Sequence, residues 1–364
     1  MRPASVPVQR PSNAKLLRVD KLGNIGHLPR SEFANLLRPG DVVIANDAAT
    51  LPASLSGYHG PSGRAIEVRL AGRDSLHEIK RLSAVVFGEG DFRMRTEDRP
   101  QPPTLNPGDR LQLGPLRATV LRLWNHPRLI LLEFDGSPSK IWEGLARHGR
   151  PIQYAHVPAP LAVWDTWTLM AGPPVAFEPP SAGFVLDWDT LARMTAREIS
   201  FATITHAAGI SSTGDAELDR LLPFDEPYRI PRSTALAIKQ AQLRGGRIIA
   251  VGTTVVRAIE HAAGAFEGDV PAGERLATQR IGPSSRLRLV DAVLSGAHEP
   301  GTSHYELMRA FVDDESLGRM DRELNANDYL THEFGDSIFL ERAAKQDGEQ
   351  IHESARTLGL VLSS

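Results

Sequence analysis

The sequence predicts an α/β (α+β) main domain interrupted by a small inserted antiparallel β-barrel domain. Short apolar runs end directly in polar or glycine-rich turns: Val42–Ala45 before Asn46-Asp47, and Ile248–Val251 before Gly252-Thr253-Thr254. Such runs between turn signals suggest strands covered on both faces. Between residues 56 and 136 the texture changes to short alternating segments with no convincing helix, the pattern of a small barrel or sandwich. Segments of α/β character flank that region, so an insertion is the simplest arrangement. It assigns residues 1–55 and 137–364 to the main domain and 56–136 to the barrel.

Residues 1–14 are rich in Pro, Ser and polar residues and read as a loose lead-in. Lys15–Val19 is a short strand and Arg30–Leu37 a short helix, and Pro39-Gly40-Asp41 turns the chain into Val42–Ala45. Within the insertion, Ile66–Leu70, Arg110–Leu113, Ala118–Leu123 and Leu129–Phe134 are the strand candidates, separated by Pro-Gly-Asp and Leu-Gly-Pro turns. Ser137–Arg147 reads as a helix. Residues 149–184 form a long proline-rich stretch, and loops of that length in compact domains are more often functional than idle. Asp187 or Asp189 can cap a helix through Leu191 to Ile199.

Ser200–His206 is a strand entering Ala207-Ala208-Gly209. Ser233–Arg244 is an amphipathic helix closed by Gly245-Gly246, ahead of Ile248. Arg288–Val293 is a strand that precedes Ser295-Gly296-Ala297-His298, Ser303–Val312 is a helix, and Ser337–Leu340 a last strand. If the strands before Asn46, His206, Gly252 and Ser295 are parallel, their turns share one sheet edge, where open α/β folds build sites.

Composition removes several classes. The 364 residues contain no cysteine, which excludes disulfides, thiolate metal sites and cysteine nucleophiles. The N-terminus lacks an apolar secretory segment, and no run approaches the roughly 18 apolar residues of a membrane helix, so a cytoplasmic protein is expected. A net charge of −3 gives no support to tRNA binding through phosphates alone, although a local basic face can hide in a neutral total. No Gly-x-Ser-x-Gly elbow, phosphate loop of the Gly-Lys-Ser/Thr type or Gly-x-Gly-x-x-Gly after a strand is present.

The candidate chemistry sits in the turns. Gly252-Thr253-Thr254 can present N–H groups and hydroxyls to an anionic or polar ligand at a helix N-terminus. The alternative is that Thr254 caps the helix while Gly252 relieves the turn. Arg257 and Glu260 are a ligand clamp or a solvated pair at i, i+3. His206 is a candidate acid or base, or a structural histidine. His298-Glu299 and His304 lack the spacing of a helical zinc site, because Pro300-Gly301 interrupts them; no metal is expected.

Several stretches in order resemble the S-adenosylmethionine:tRNA ribosyltransferase-isomerase family of queuosine biosynthesis. Pro39–Asp47 followed by Leu51–Leu55 is similar to P-G-D-x-L-V-x-N-D-T-x-V-x-P-A-R-L, and Pro180–Gly183 to P-T-A-G. Thr205-His206 resembles the L-H of T-L-H-V-G. Ala250–Glu260 resembles A-V-G-T-T-S-x-R-x-L-E, His298–Ser303 resembles H-L-P-x-S-T, and Tyr329 with Phe334–Asp336 resembles Y-R-F-F-S-Y-G-D. The chain departs from the pattern at Ser54, Val185, Ala208–Ser212, Phe224 and Leu330–Phe334, and echoes P-L-P-P-Y-I only loosely in Pro151–Tyr154.

The resemblance implies an α/β domain interrupted by a small β-barrel domain. It also implies S-adenosylmethionine as a ribosyl donor to a 7-deazaguanine base of tRNA, with isomerisation to an epoxycyclopentane. On that footing His206 or His298 takes the acid/base role, with Glu226 or Asp336 orienting it or holding the cation. Asn46, Asp47, Gly252, Thr253, Thr254 and Arg257 bind the nucleoside or its carboxylate. Two other readings stay open: the same scaffold acting on a different acceptor, and a non-catalytic nucleoside-binding paralogue.

Overall fold

The computed structural model describes residues 1–343. Residues 344–364, assigned above to the main domain, lie outside the described residues. The core is a nine-stranded mixed sheet, in spatial order Gly273–Ala277, Glu226–Ile230, Ser200–His206, Val42–Asn46, Ile248–Val251, Ala292–Gly296, Ser337–Glu341, Lys15–Val19 and Ile25–Pro29. Ser200–His206, Val42–Asn46, Ile248–Val251 and Ala292–Gly296 are mutually parallel. Their carboxyl ends therefore share one edge. Glu226–Ile230 and Ser337–Glu341 run antiparallel to their neighbours, which brings Glu226 and Asp336 to the same edge.

The apolar run Val42–Ala45 is fully buried because both faces of the sheet are covered. Val42, Ile44, Ile248 and Ala250 pack on one side against helices Arg232–Leu243 and Thr253–Ala265. Val43, Ala45, Ile249 and Val251 pack on the other, against the short 3₁₀ helix Arg30–Leu36 and helix Trp188–Ala196. Full burial of each such side chain is worth about 1.5–3 kcal/mol. Asp41 starts the run: its carboxylate accepts from Arg38 N, Arg247 N and the Arg247 guanidinium. Beside it a Cβ on Gly246 would stand 2.0 Å from Gly40 O, so only glycine fits.

Six antiparallel strands, the first Ser54–His59 and the last Leu129–Phe134, close into a barrel. Ser54–His59 and Arg81–Phe87 complete the four strands legible in the sequence. The barrel interior is filled by alternating residues such as Val68, Leu82, Leu111 and Leu132.

Several expectations are corrected. The N-terminal lead-in is held, not loose: Arg2–Pro3 pairs with Leu330–Thr331, and Arg30 Nη2 donates to Gln9 O. The strand expected at Arg288 starts at Ala292, because the Glu260 carboxylate takes the N–H groups of Arg288, Leu289 and Val290. The helix from Ser303 stops at Met308, and the sequence reading missed helix Asp314–Ala326, capped by Asp313. Asp187, not Asp189, caps Trp188–Ala196. No helix among the described residues is long and apolar enough to cross a membrane.

Two substitutions test these local constraints. Gly252 has φ +96° and ψ 150°, a region almost restricted to glycine, so Gly252→Ala should lower stability by about 1–3 kcal/mol in urea unfolding. Its added Cβ meets only ordinary contacts, so the loss comes from backbone strain. Glu260→Ala strands three backbone donors and should cost at least about 3 kcal/mol in the same measurement.

Candidate active site

The carboxyl edge of the sheet opens into a cavity of about 730 Å³. Its floor is the turn Gly252-Thr253-Thr254 and the segment Ser295–His298, which end adjacent parallel strands. Glu226, Arg257 and the loop Ala208–Ser212 form one wall. The long proline-rich stretch contributes Tyr154, His156 and Glu178–Ala182, with His332-Glu333 beside His156 and His304 stacked on His298. Arg95–Glu97 reach in from the barrel side.

The helix beginning at Thr253 has no side-chain cap, and Gly252 occupies the cap position. The reading of Thr254 as a mere cap is therefore set aside. The first turn of a 13-residue helix faces the cavity with its positive dipole end, suited to an anionic group.

Arg257 is neither a free clamp nor a partner of Glu260. Its Nη1 donates to Glu226 Oε2 at 2.5 Å, Nη2 to Phe224 O and Ala277 O, and Nε to Gln279 O. The Glu226 carboxylate also accepts Gly209 N. Burial raises the Glu226 carboxyl above its ordinary range, while the Arg257 cation and the Gly209 N–H pull it back down.

His206 is fully buried and does not line the cavity. Its Nε2 lies 3.6 Å from Glu226 Oε2, and neither ring nitrogen has a hydrogen-bond partner among the described residues. Burial, reinforced by the Arg257 cation, lowers its pKa to about 3, so the ring stays neutral. That placement sets His206 beside Glu226, behind the cavity wall, and removes it from direct contact with a ligand.

Three other expected site residues also lie off the cavity, because their polar atoms are already engaged. Asn46 exchanges hydrogen bonds with the His206 backbone and accepts Ala48 N. Asp47 accepts the hydroxyls of Thr203 and Thr205. Asp336 accepts Lys15 N and Leu330 N. All three shape the edge; none faces the pocket.

His298 does line it, with Nε2 3.2 Å from Ser295 Oγ and its ring stacked on His304 at 4.5 Å. Burial, helped by the neighbouring histidines, holds it well below the ordinary imidazole range, so it is neutral.

Sequence reasoning missed Tyr154, Glu178, His156, His332 and Glu333. Glu178 is buried in the cavity wall, with Oε1 2.5 Å from the Tyr154 hydroxyl. Burial raises its pKa to about 7; the nearby Glu333 charge adds to this, and bonds to Ser211 and Tyr154 oppose it. Its proline neighbours gave the only signal, that of a long loop. The two positions where the resemblance leads one to look for histidines are filled by packing: Val185 is buried in an apolar cluster, and Phe224 leans on another.

A family model described as queuosine biosynthesis protein matches residues 2–340. The S-adenosylmethionine:tRNA ribosyltransferase-isomerase of Citrifermentans bemidjiense is 30% identical over 342 residues, covering 93% of this chain and 95% of the relative. The protein of the same name from Thermosynechococcus vestitus is 29% identical over 315 residues, covering 85% and 84%. Among solved structures, the S-adenosylmethionine tRNA ribosyltransferase of Thermotoga maritima is 21% identical, covering 93% of this chain and 95% of that one, with a TM-score of 0.49. The family match spans nearly the whole described chain, the barrel included, and so the chain belongs to the queuosine biosynthesis protein family.

Proposed function

We propose that this protein transfers the ribosyl group of S-adenosylmethionine to a 7-deazaguanine base of tRNA and isomerises it, releasing adenine and methionine. One observation carries the reading: the sheet-edge cavity joins an uncapped helix N-terminus, buried carboxylates and a neutral histidine. The donor presents complementary chemistry. Its carboxylate suits the N–H groups of Thr253 and Thr254, and its sulfonium suits the ionised Glu333 carboxylate in the cavity wall.

The reaction needs a base to remove a proton beside the sulfonium and an acid for the departing adenine. His298 is assigned as the base, since it faces the cavity uncharged. Glu178 is assigned as the acid, because a carboxyl with a pKa of about 7 retains its proton near neutral pH. Tyr154 positions Glu178 through their hydrogen bond.

Incubation with S-adenosylmethionine, with and without tRNA bearing the deazaguanine base, should give adenine release only when that tRNA is present. Release that needs another acceptor, or tight binding with no turnover, refutes the proposal. His298→Ala should lower release about 10²–10⁴-fold with the fold intact by circular dichroism.

Glu178 has a pH signature of its own. An acid must hold its proton, so kcat/KM should fall as pH rises through about 7, and Glu178→Gln should remove that limb. A carboxyl raised in the folded state binds more protons folded than unfolded, so stability is lost as pH rises from the unfolded value through about 7. Glu178→Gln should therefore stabilise the protein more at pH 8 than at pH 5 in chemical unfolding; an equal effect at both would refute the raised pKa.

A further inference from the structure

Within the cavity, His156, His332 and Glu333 bring one ligand atom each to within 4.8 Å of one another. His156 Nε2 is 3.2 Å from Glu333 Oε2, and the His156 and His332 rings lie face to face at 4.3 Å, 26° apart. We propose that these three residues form a binding site for a divalent first-row transition ion, Zn²⁺ or Fe²⁺. The site shares the cavity and Glu333 with the reaction proposed above, but the inference rests on the geometry of these three side chains and its test reads metal binding alone.

Two imidazoles side by side with one carboxylate make the two-histidine, one-carboxylate set that such ions take, with further positions left open. Metal–nitrogen bonds of about 2.0–2.1 Å place donor atoms on one ion roughly 3–3.5 Å apart, the separation that His156 and Glu333 already show. His332 closes the set by a side-chain adjustment within the cavity, where it is exposed. Its backbone stands at φ +69°, a conformation that residues other than glycine adopt at a cost. The open positions face the cavity, so an oxygen or nitrogen donor of a bound molecule can complete the shell.

Spacing along the chain hides this set. His156 is 177 residues from Glu333, and the expectation of no metal in this protein, argued from His298, Glu299 and His304 alone, departs from this proposal. His332 and Glu333 replace residues of the family's R-F-F-S-Y pattern, and His156 follows the loosely kept Pro151–Tyr154. The ligand set thus belongs to the stretches in which this chain departs from the pattern.

The test uses the full chain stripped with a chelator, then titrated with Co²⁺ and Zn²⁺ by calorimetry and visible absorption. One ion per chain with cobalt d–d bands is expected. His332→Ala and Glu333→Gln should each weaken binding at least about 10-fold, while His304→Ala, in the same cavity, should leave it within about 2-fold. Circular dichroism confirms that the variants fold. Absence of stoichiometric binding by the unaltered protein overturns the proposal, as does binding that survives His332→Ala or is lost equally in His304→Ala.

Discussion

The buried pair Arg257–Glu226 is the contact on which the cavity depends. Arg257 leaves the first turns of the central helix and reaches Glu226 together with the carbonyls of Phe224, Ala277 and Gln279. Through it the helix, two antiparallel strands and the Gly209 loop are fixed to one another. A charge pair this deep is stabilised only while both partners and their hydrogen bonds are present; loss of one leaves an uncompensated buried charge, at about 3–5 kcal/mol. His206 lies against the same pair and is kept neutral by its burial, with the Arg257 cation adding to the effect.

The sheet edge supplies the rest of the geometry. Four parallel strands place their polar turns side by side, and two antiparallel strands begin there instead of ending there. Six turns converge, but they divide their labour. Asn46 and Asp336 use their side chains to tie neighbouring backbone segments, the obligatory satisfaction of buried polar groups, and Asp47 takes the hydroxyls of Thr203 and Thr205. Gly252, Ser295 and Glu226 are left to face the cavity.

Electrostatics in the pocket follow from burial. The same desolvation pushes Glu178 up to about 7 and His298 down, so both favour their uncharged forms. An uncharged carboxyl and an uncharged imidazole therefore stand in one cavity, and the acid and base roles proposed above draw on these two groups. The proline-rich stretch is what brings Glu178 and Tyr154 to this place, and its length is explained by the wall it builds.

The sequence by itself determined the α/β sheet, the barrel and the edge. Apolar runs such as Val42–Ala45 read directly as two-face-buried strands, and Gly252 with Gly246 marked turns that only glycine fills. Arg81–Phe87 and Asp314–Ala326 escaped because their patterns depend on which face is covered, a property of tertiary packing. Residue type pointed to His298 and Glu226, which line the cavity, and gave the same weight to Asp336 and His206, which do not. Only the folded chain decided between them, since whether a polar atom is spent on the backbone or left facing a ligand is set by neighbours far away in sequence. For the same reason His156 and Glu333 carried no signal along the chain: 177 residues apart, they become neighbours only when the proline-rich stretch folds against the turn before the last strand of the sheet.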